Sequence, residues 1–268
     1  MRNLEALNPA LLRPSKFASF SAGTLLALAL LSVPLAWGAA PDIPLGGNPI
    51  VLFIGLMLAM SLILAIISAV FRWGWKAKYY GVSLIGVAGI SFLALVPLSA
   101  AVIYGQAPYW ATGAVLLIYG VSHFLWCRKF AVLYKNIFSD DALRAIIYEE
   151  ESDAVYYMRR GDDYILDKRY KFSQMPKDRY FVLFIFVALL TIPTMNLVCE
   201  FVGVPFVHIF LLVAMLPVSL MSVGLAFRAF LIFYLYPARI KRSTGKEVYV
   251  DLVSKHRTLG RGTNGVVP

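Results

Sequence analysis

Charge is what this sequence has least of. Only 15% of its 268 residues are Asp, Glu, Lys or Arg, against about 25% in an ordinary soluble domain. Acidic side chains are the scarcer kind, 15 against 25 basic ones, which leaves a net charge of +10. Histidine and cysteine are almost missing. His123, His208 and His256 are widely separated, and Cys127 and Cys199 form no zinc-type spacing with them. His-Glu-x-x-His, Gly-x-Ser-x-Gly and Gly-x-x-x-x-Gly-Lys-Ser/Thr do not occur, so a zinc protease, a nucleophile elbow and a P-loop motor lose their signatures. No run of interleaved aromatic and basic residues marks a nucleic-acid groove. The sequence therefore calls for no catalytic residue, no cofactor, no metal and no nucleic-acid partner.

What it has instead is apolar sequence, 60% of the chain, with a mean hydropathy of +0.72. That material falls in blocks: 17–40, 50–71, 80–104, 109–126, 180–202 and 206–236. Blocks of about 20 residues cross a hydrocarbon core of about 30 Å as helices. The predicted fold is an all-α polytopic membrane protein with six transmembrane helices, both termini on the inside, and a small α/β insert between helices 4 and 5. Residues 1–126 form a four-helix region and 127–179 the insert. Residues 180–236 form a hairpin closed by Gly203-Val204-Pro205, and 237–268 a basic tail. The first block also resembles a secretory signal, but it exceeds the roughly 7–15 residues of a signal core, which favours a retained helix. The sixth is longer than a bilayer requires and must tilt, kink at Pro217 or protrude. Ser61, Ala65 and Ala69 recur every fourth residue, a small-residue face for helix packing. Tyr109, Trp110 and Trp126 mark the two ends of the fourth span, where aromatic belts form.

The charges supply the orientation. Every Lys and Arg except Arg228 lies in the lead 1–16, the turn 72–78, the insert or the tail, and the links 41–49, 105–108 and 203–205 carry none. Positively charged short loops stay in the cytoplasm. The expected location is the plasma membrane, the bacterial inner membrane, with both termini and the insert cytoplasmic and the basic run 239–246 drawn to anionic lipid headgroups. Cys127 and Cys199 then lie near opposite faces, too far apart to bridge.

Inside the insert, Ser139, Asp140 and Asp141 offer a cap for a short amphipathic helix over 142–148, with Leu143, Ile146 and Ile147 on one face. Residues 154–158 and 164–172 flank Arg159-Arg160-Gly161-Asp162-Asp163 and alternate, which predicts a hairpin around that turn. Val248, Val250 and Leu252 alternate as well, so the tail offers a third strand. Glu149, Glu150, Glu151, Arg159, Arg160, Asp162 and Asp163 are the expected docking surface for a protein partner or a second copy of the chain.

Ionisable or polar groups within spans are the default functional candidates. Here they are Asn196, Glu200, His208 and Arg228. Glu200 and His208 end two helices joined by a tight turn, and the stem of Arg228 is long enough to reach the cytoplasmic headgroups. Two functions compete: a non-enzymatic membrane component that binds a partner, and a small transporter or channel built on Glu200 and His208.

Overall fold

The computed structural model describes residues 14–39, 44–48, 75–87, 108–172, 192–203 and 206–251, with isolated helical positions between 51 and 66 and between 182 and 189. Ser61, Ala65 and Ala69 lie outside the described residues. The chain is mostly helical with one small three-stranded sheet.

Helix α1 spans Pro14–Ala39 and packs on α2, Ala77–Val87. Helix α3 runs unbroken over Tyr109–Ser139, about 46 Å at 1.5 Å per residue. Its first half holds exposed Leu116, Leu117, Ile118, Phe124 and Leu125, and Tyr109 at its start is 97% exposed. From Phe130 onward the character changes: Phe130, Leu133, Tyr134 and Ile137 recur at helical spacing and are buried. The sequence reading ended this helix at 126. Charge beginning at Arg128 marks a change of surroundings, and since no Gly or Pro follows before Ser139, the helix continues for thirteen residues.

The Asp140 side chain caps helix α4, Asp141–Ile147, by accepting from the backbone N–H groups of Ala142 and Leu143 at 3.0 and 3.2 Å. Strand β1, Tyr148–Glu150, follows directly and pairs antiparallel with β2, Ala154–Met158. Helix α5, Arg159–Tyr164, comes next and passes into a π-helical turn, Ile165–Arg169. The predicted hairpin therefore sits one element too late. Its turn is 151–153, and 159–169 is helical. The buried residues there are Gly161, Asp162, Ile165 and Leu166, a spacing of one and four that belongs to a helix face and not to a strand.

A 3-10 turn at Ile192–Thr194, around Pro193, precedes helix α6, Met195–Val202. Helix α7, Phe206–Phe230, carries Pro217 inside it and continues through a π turn, Leu231–Leu235, into α8, Tyr236–Thr244. The helix runs eight residues beyond Tyr236, where the sequence reading ended it. The α8 segment buries Tyr236, Pro237 and Ile240 and exposes Arg239, Lys241 and Arg242. Gly245 ends it at φ 75, a left-handed turn that glycine adopts without steric cost. That reversal feeds β3, Glu247–Asp251, which pairs parallel with β2 in the register Val155↔Val248 and Tyr157↔Val250. The tail does supply a third strand; Leu252 lies outside the described residues. Strand β2 lies between its two neighbours and every one of its residues is buried, as a doubly covered strand requires.

Two helices, Tyr109–Ser139 and Leu216–Thr244, are long and apolar enough to cross a membrane. The principal core lies at the polar end of both. It joins Phe130, Tyr134 and Ile137 of α3, Leu143 and Ile147 of α4, Val155 and Tyr157 of β2, Phe233 and Tyr236 near α8, and Val248 and Val250 of β3. The insert is consequently no separate unit: its core is completed by the ends of two long helices and by the tail.

Candidate functional site

The last apolar helix carries one charge, and the core is built around it. Arg228 sits near the end of α7 with its side chain 8% exposed. Its Nη2 lies 2.6 Å from Oδ2 of Asp162, whose side chain is 0% exposed. Tyr134 of α3 donates its hydroxyl to Asp162 Oδ1 at 2.8 Å, and Tyr157 of β2 donates to Oδ2 at 2.7 Å. Arg228 Nε in turn donates to the Tyr134 oxygen at 2.8 Å. Asp163, half-exposed, stands 3.5 Å from Arg228 and 3.7 Å from Arg159. Residues of α3 and α7, distant in sequence, and of the neighbouring β2 thus converge on one carboxylate of α5.

Local structure explains how Asp162 reaches that place. A Cβ on Gly161 would stand 2.0 Å from the Ile146 carbonyl oxygen, so α5 can lie against α4 only with glycine at this point. Burying a carboxylate and a guanidinium is costly unless each is paired and hydrogen-bonded. Here three donors hold the carboxylate, two on Oδ2 and one on Oδ1, and the cluster ties the elements that supply them together. Burial pushes the phenol of Tyr157 well above its usual 10.0, and the charge of Asp162 adds to the effect. Tyr148 is raised likewise, by burial first and by Asp162 second. Its hydroxyl donates at 2.5 Å to the carbonyl of Ile232, inside the π turn of the last helix.

These contacts correct two expectations. Arg228 does not extend its stem to the surface, because Asp162 offers a buried partner within reach. Asp162 does not belong to the docking surface, because the same bond draws it fully inside. The remaining docking residues stay near the surface. Arg159 and Arg160 are exposed, and Glu149, Glu151 and Asp163 are partly so. Glu150, 54% exposed, is held at 2.6 Å by Lys246 of the tail, whose Nζ also donates to the Glu151 carbonyl at 2.8 Å. Asn196 and Glu200 lie four residues apart on α6, both exposed. His208 starts the next helix, but its side chain is outside the described residues, and so is any pairing with Glu200.

Sequence reasoning missed the roles of Tyr134, Tyr148 and Tyr157: the first was not singled out, the second closed a predicted amphipathic helix and the third lay in a predicted strand. His123, near the cytoplasmic end of the fourth predicted span and expected to hydrogen-bond within the helix bundle, does so deeper along the apolar helices. His123 Nδ1 lies 2.7 Å from the Tyr119 carbonyl and its Nε2 3.0 Å from Ser219 Oγ, while Ser219 donates to the Leu216 carbonyl at 2.8 Å. The single hydroxyl proton of Ser219 is thus shared with its own helix, and the pair ties α3 to α7.

A second polar feature lies at the foot of α8. Residues 75–76 add to the edge of β3: Lys76 bridges Tyr249, and Val250 donates its N–H to the Trp75 carbonyl at 2.8 Å. This places Lys76 and Lys78 beside Lys241 and Glu247 around an open cavity of about 200 Å³. Lys241 forms an ion pair with Glu247. The Glu247 carboxyl is held below its usual range by that hydrogen bond first, with the charges of Lys76 and Lys78 adding to it. No protein-family model matches this sequence, and no curated protein and no solved structure matches it either.

Proposed function

We propose that this chain is a non-enzymatic integral inner-membrane component that docks a partner protein through its polar layer. In this reading it crosses the bilayer six times with both termini cytoplasmic, and serves as a subunit, assembly, immunity-type or exclusion-type protein. The observation that carries the reading is the clamp on Asp162. It joins the 127–179 segment to two long apolar helices, and β3 closes the same unit from the tail. A surface held rigid before encounter loses little conformational entropy on binding. Its exposed face carries Arg159 and Arg160 beside Glu149 and Glu150, a mixed-charge rim suited to selecting one partner by complementarity.

The test is purification in mild detergent of the wild-type chain and of Arg159→Glu/Arg160→Glu. A stoichiometric protein should accompany the first and leave the second, while both unfold at the same temperature. Topology is tested in the same strain by single cysteines at 106 and 152 after Cys127 and Cys199 are replaced by Ser. Position 106 should label from outside in intact cells, and position 152 only after lysis. Solute flux through proteoliposomes of the purified chain, abolished by Glu200→Gln, would overturn the reading in favour of a transporter.

A further inference from the structure

We propose that the cleft between α2, α8 and β3 binds the phosphate of an anionic phospholipid headgroup. The inference rests on the reading that α3 and α7 cross a bilayer, and it narrows a general attraction of basic residues for anionic lipid to one built site.

Three features carry it. The first is construction. Lys76 is positioned by its backbone bridge to Tyr249, and Lys78 by the Tyr234 hydroxyl, which donates to its carbonyl at 2.6 Å. Lys241 projects from α8 on the other side of the cavity. The lysines come from two segments that are distant in sequence, yet they line one cleft.

The second is charge. Three ammonium groups face one carboxylate, Glu247, and among the described residues only Lys241 of the three stands within ion-pair distance of an acidic side chain. That surplus of positive charge suits the phosphodiester of an anionic phospholipid, which carries one negative charge at pH 7.

The third is level. The cleft lies where the last helix turns from the apolar run ending at Leu235 to the basic α8, and where α2 begins at Ala77. Above it Phe230, 46% exposed, stacks on Tyr234 with ring centroids 6.3 Å apart. That ridge leads from the lysines onto apolar helix surface. A soluble phosphate has no use for such a ridge, whereas acyl chains attached to a bound headgroup lie along it. Basic pockets between helices at the cytoplasmic side of a membrane have this composition.

The experiment uses the full-length chain in uncharged detergent and measures binding of dioctanoyl phosphatidylglycerol, dioctanoyl phosphatidylcholine and inorganic phosphate. Phosphatidylglycerol should bind, and Lys76→Gln/Lys78→Gln/Lys241→Gln should weaken it about tenfold or more, since it removes all three positive charges of the cleft. Arg239→Gln/Arg242→Gln, on the same helix but outside the cleft, should change it less than about twofold. Glu247→Gln raises the cleft charge and should strengthen binding, a change of sign that loss of folding does not mimic. Equal loss in both multiple variants would overturn the site as diffuse attraction, and inorganic phosphate binding as tightly as the lipid would overturn the lipid assignment. Release of the protein from membranes by alkaline carbonate would instead refute the bilayer reading beneath both.

Discussion

The clamp on Asp162 can be tested by a double-mutant cycle. In Asp162→Asn the carboxamide still accepts from Tyr134, but its amino group faces donors on Tyr157 and Arg228, and the buried guanidinium keeps only the half-exposed Asp163 at 3.5 Å as counter-charge. In Arg228→Met the carboxylate stays inside with only two phenols to hold it. Removing one member of a buried pair typically costs about 3–5 kcal/mol, since the other charge is stranded. Asp162→Asn/Arg228→Met strands no charge and loses mainly the hydrogen bond to Tyr157, at about 1–3 kcal/mol. It should therefore fall short of the sum of the singles by at least about 2 kcal/mol. Arg228→Lys should lie between wild type and Arg228→Met, because an ammonium cannot serve Tyr134 and Asp162 with the fork of a guanidinium. Unfolding in one detergent, followed by the fluorescence of Trp126, which packs edge-on against Phe130 in the same core, reports all five proteins. Additive effects, or a single variant within about 0.5 kcal/mol of wild type, would refute the argument, since surface residues behave in that way.

Tyr148 and Tyr157 supply a pH dependence. Both phenols are raised above 10.0 in the folded state, so the unfolded chain holds fewer protons once pH exceeds that value. The stability they contribute is fully present below pH 10 and is lost as pH rises toward the folded values; phenolate absorbance from the two should appear only together with unfolding. Gly161→Ala should destabilise by about 1–3 kcal/mol or prevent folding, because its Cβ meets backbone, whereas Gly120→Ala meets nothing within 4 Å and should be neutral or slightly stabilising by thermal melt. Ending the chain at Thr244 removes β3 and should open β2 to limited proteolysis; resistance of 148–172 equal to that of the full chain would refute the parallel pairing as a support.

Local signals were legible where the physics is local. Asp140 as a cap, Leu143 and Ile147 as one face of a helix, and Val248 and Val250 as an alternating strand all follow from short-range spacing. The strand 164–172 was misplaced because Tyr164, Leu166, Tyr170 and Phe172 satisfy period two by coincidence, while Gly161, Asp162, Ile165 and Leu166 carry the helical period that governs burial. Lys168, charged on the apolar side of the assumed strand, was the sign of the wrong period. The extension of α3 to Ser139 was hidden because polarity was taken as the end of a helix when it marks only a change of solvent. Arg228 and Asp162 are 66 positions apart, and no spacing rule links two solitary charges across that distance. The cleft was hidden for the same reason, since Lys76 and Lys241 meet only after β3 has brought the tail to residues 75–76.

The parallel pairing of β2 with β3 has a consequence for how the protein is made. Ala154 faces Glu247, so the middle strand of the sheet emerges 93 residues before its second partner. At about 5–20 residues per second the ribosome takes roughly 5–20 s to cover that interval. Through it β2 presents an open edge, and Asp162 waits for Arg228 while the last helix is still unwritten. The polar layer is therefore finished only once residues 247–251 have been made, after the helices that precede them. A chain released without residues 247–251 would keep its helices and leave its sheet unclosed, with β2 open to proteases and to mispairing with another copy.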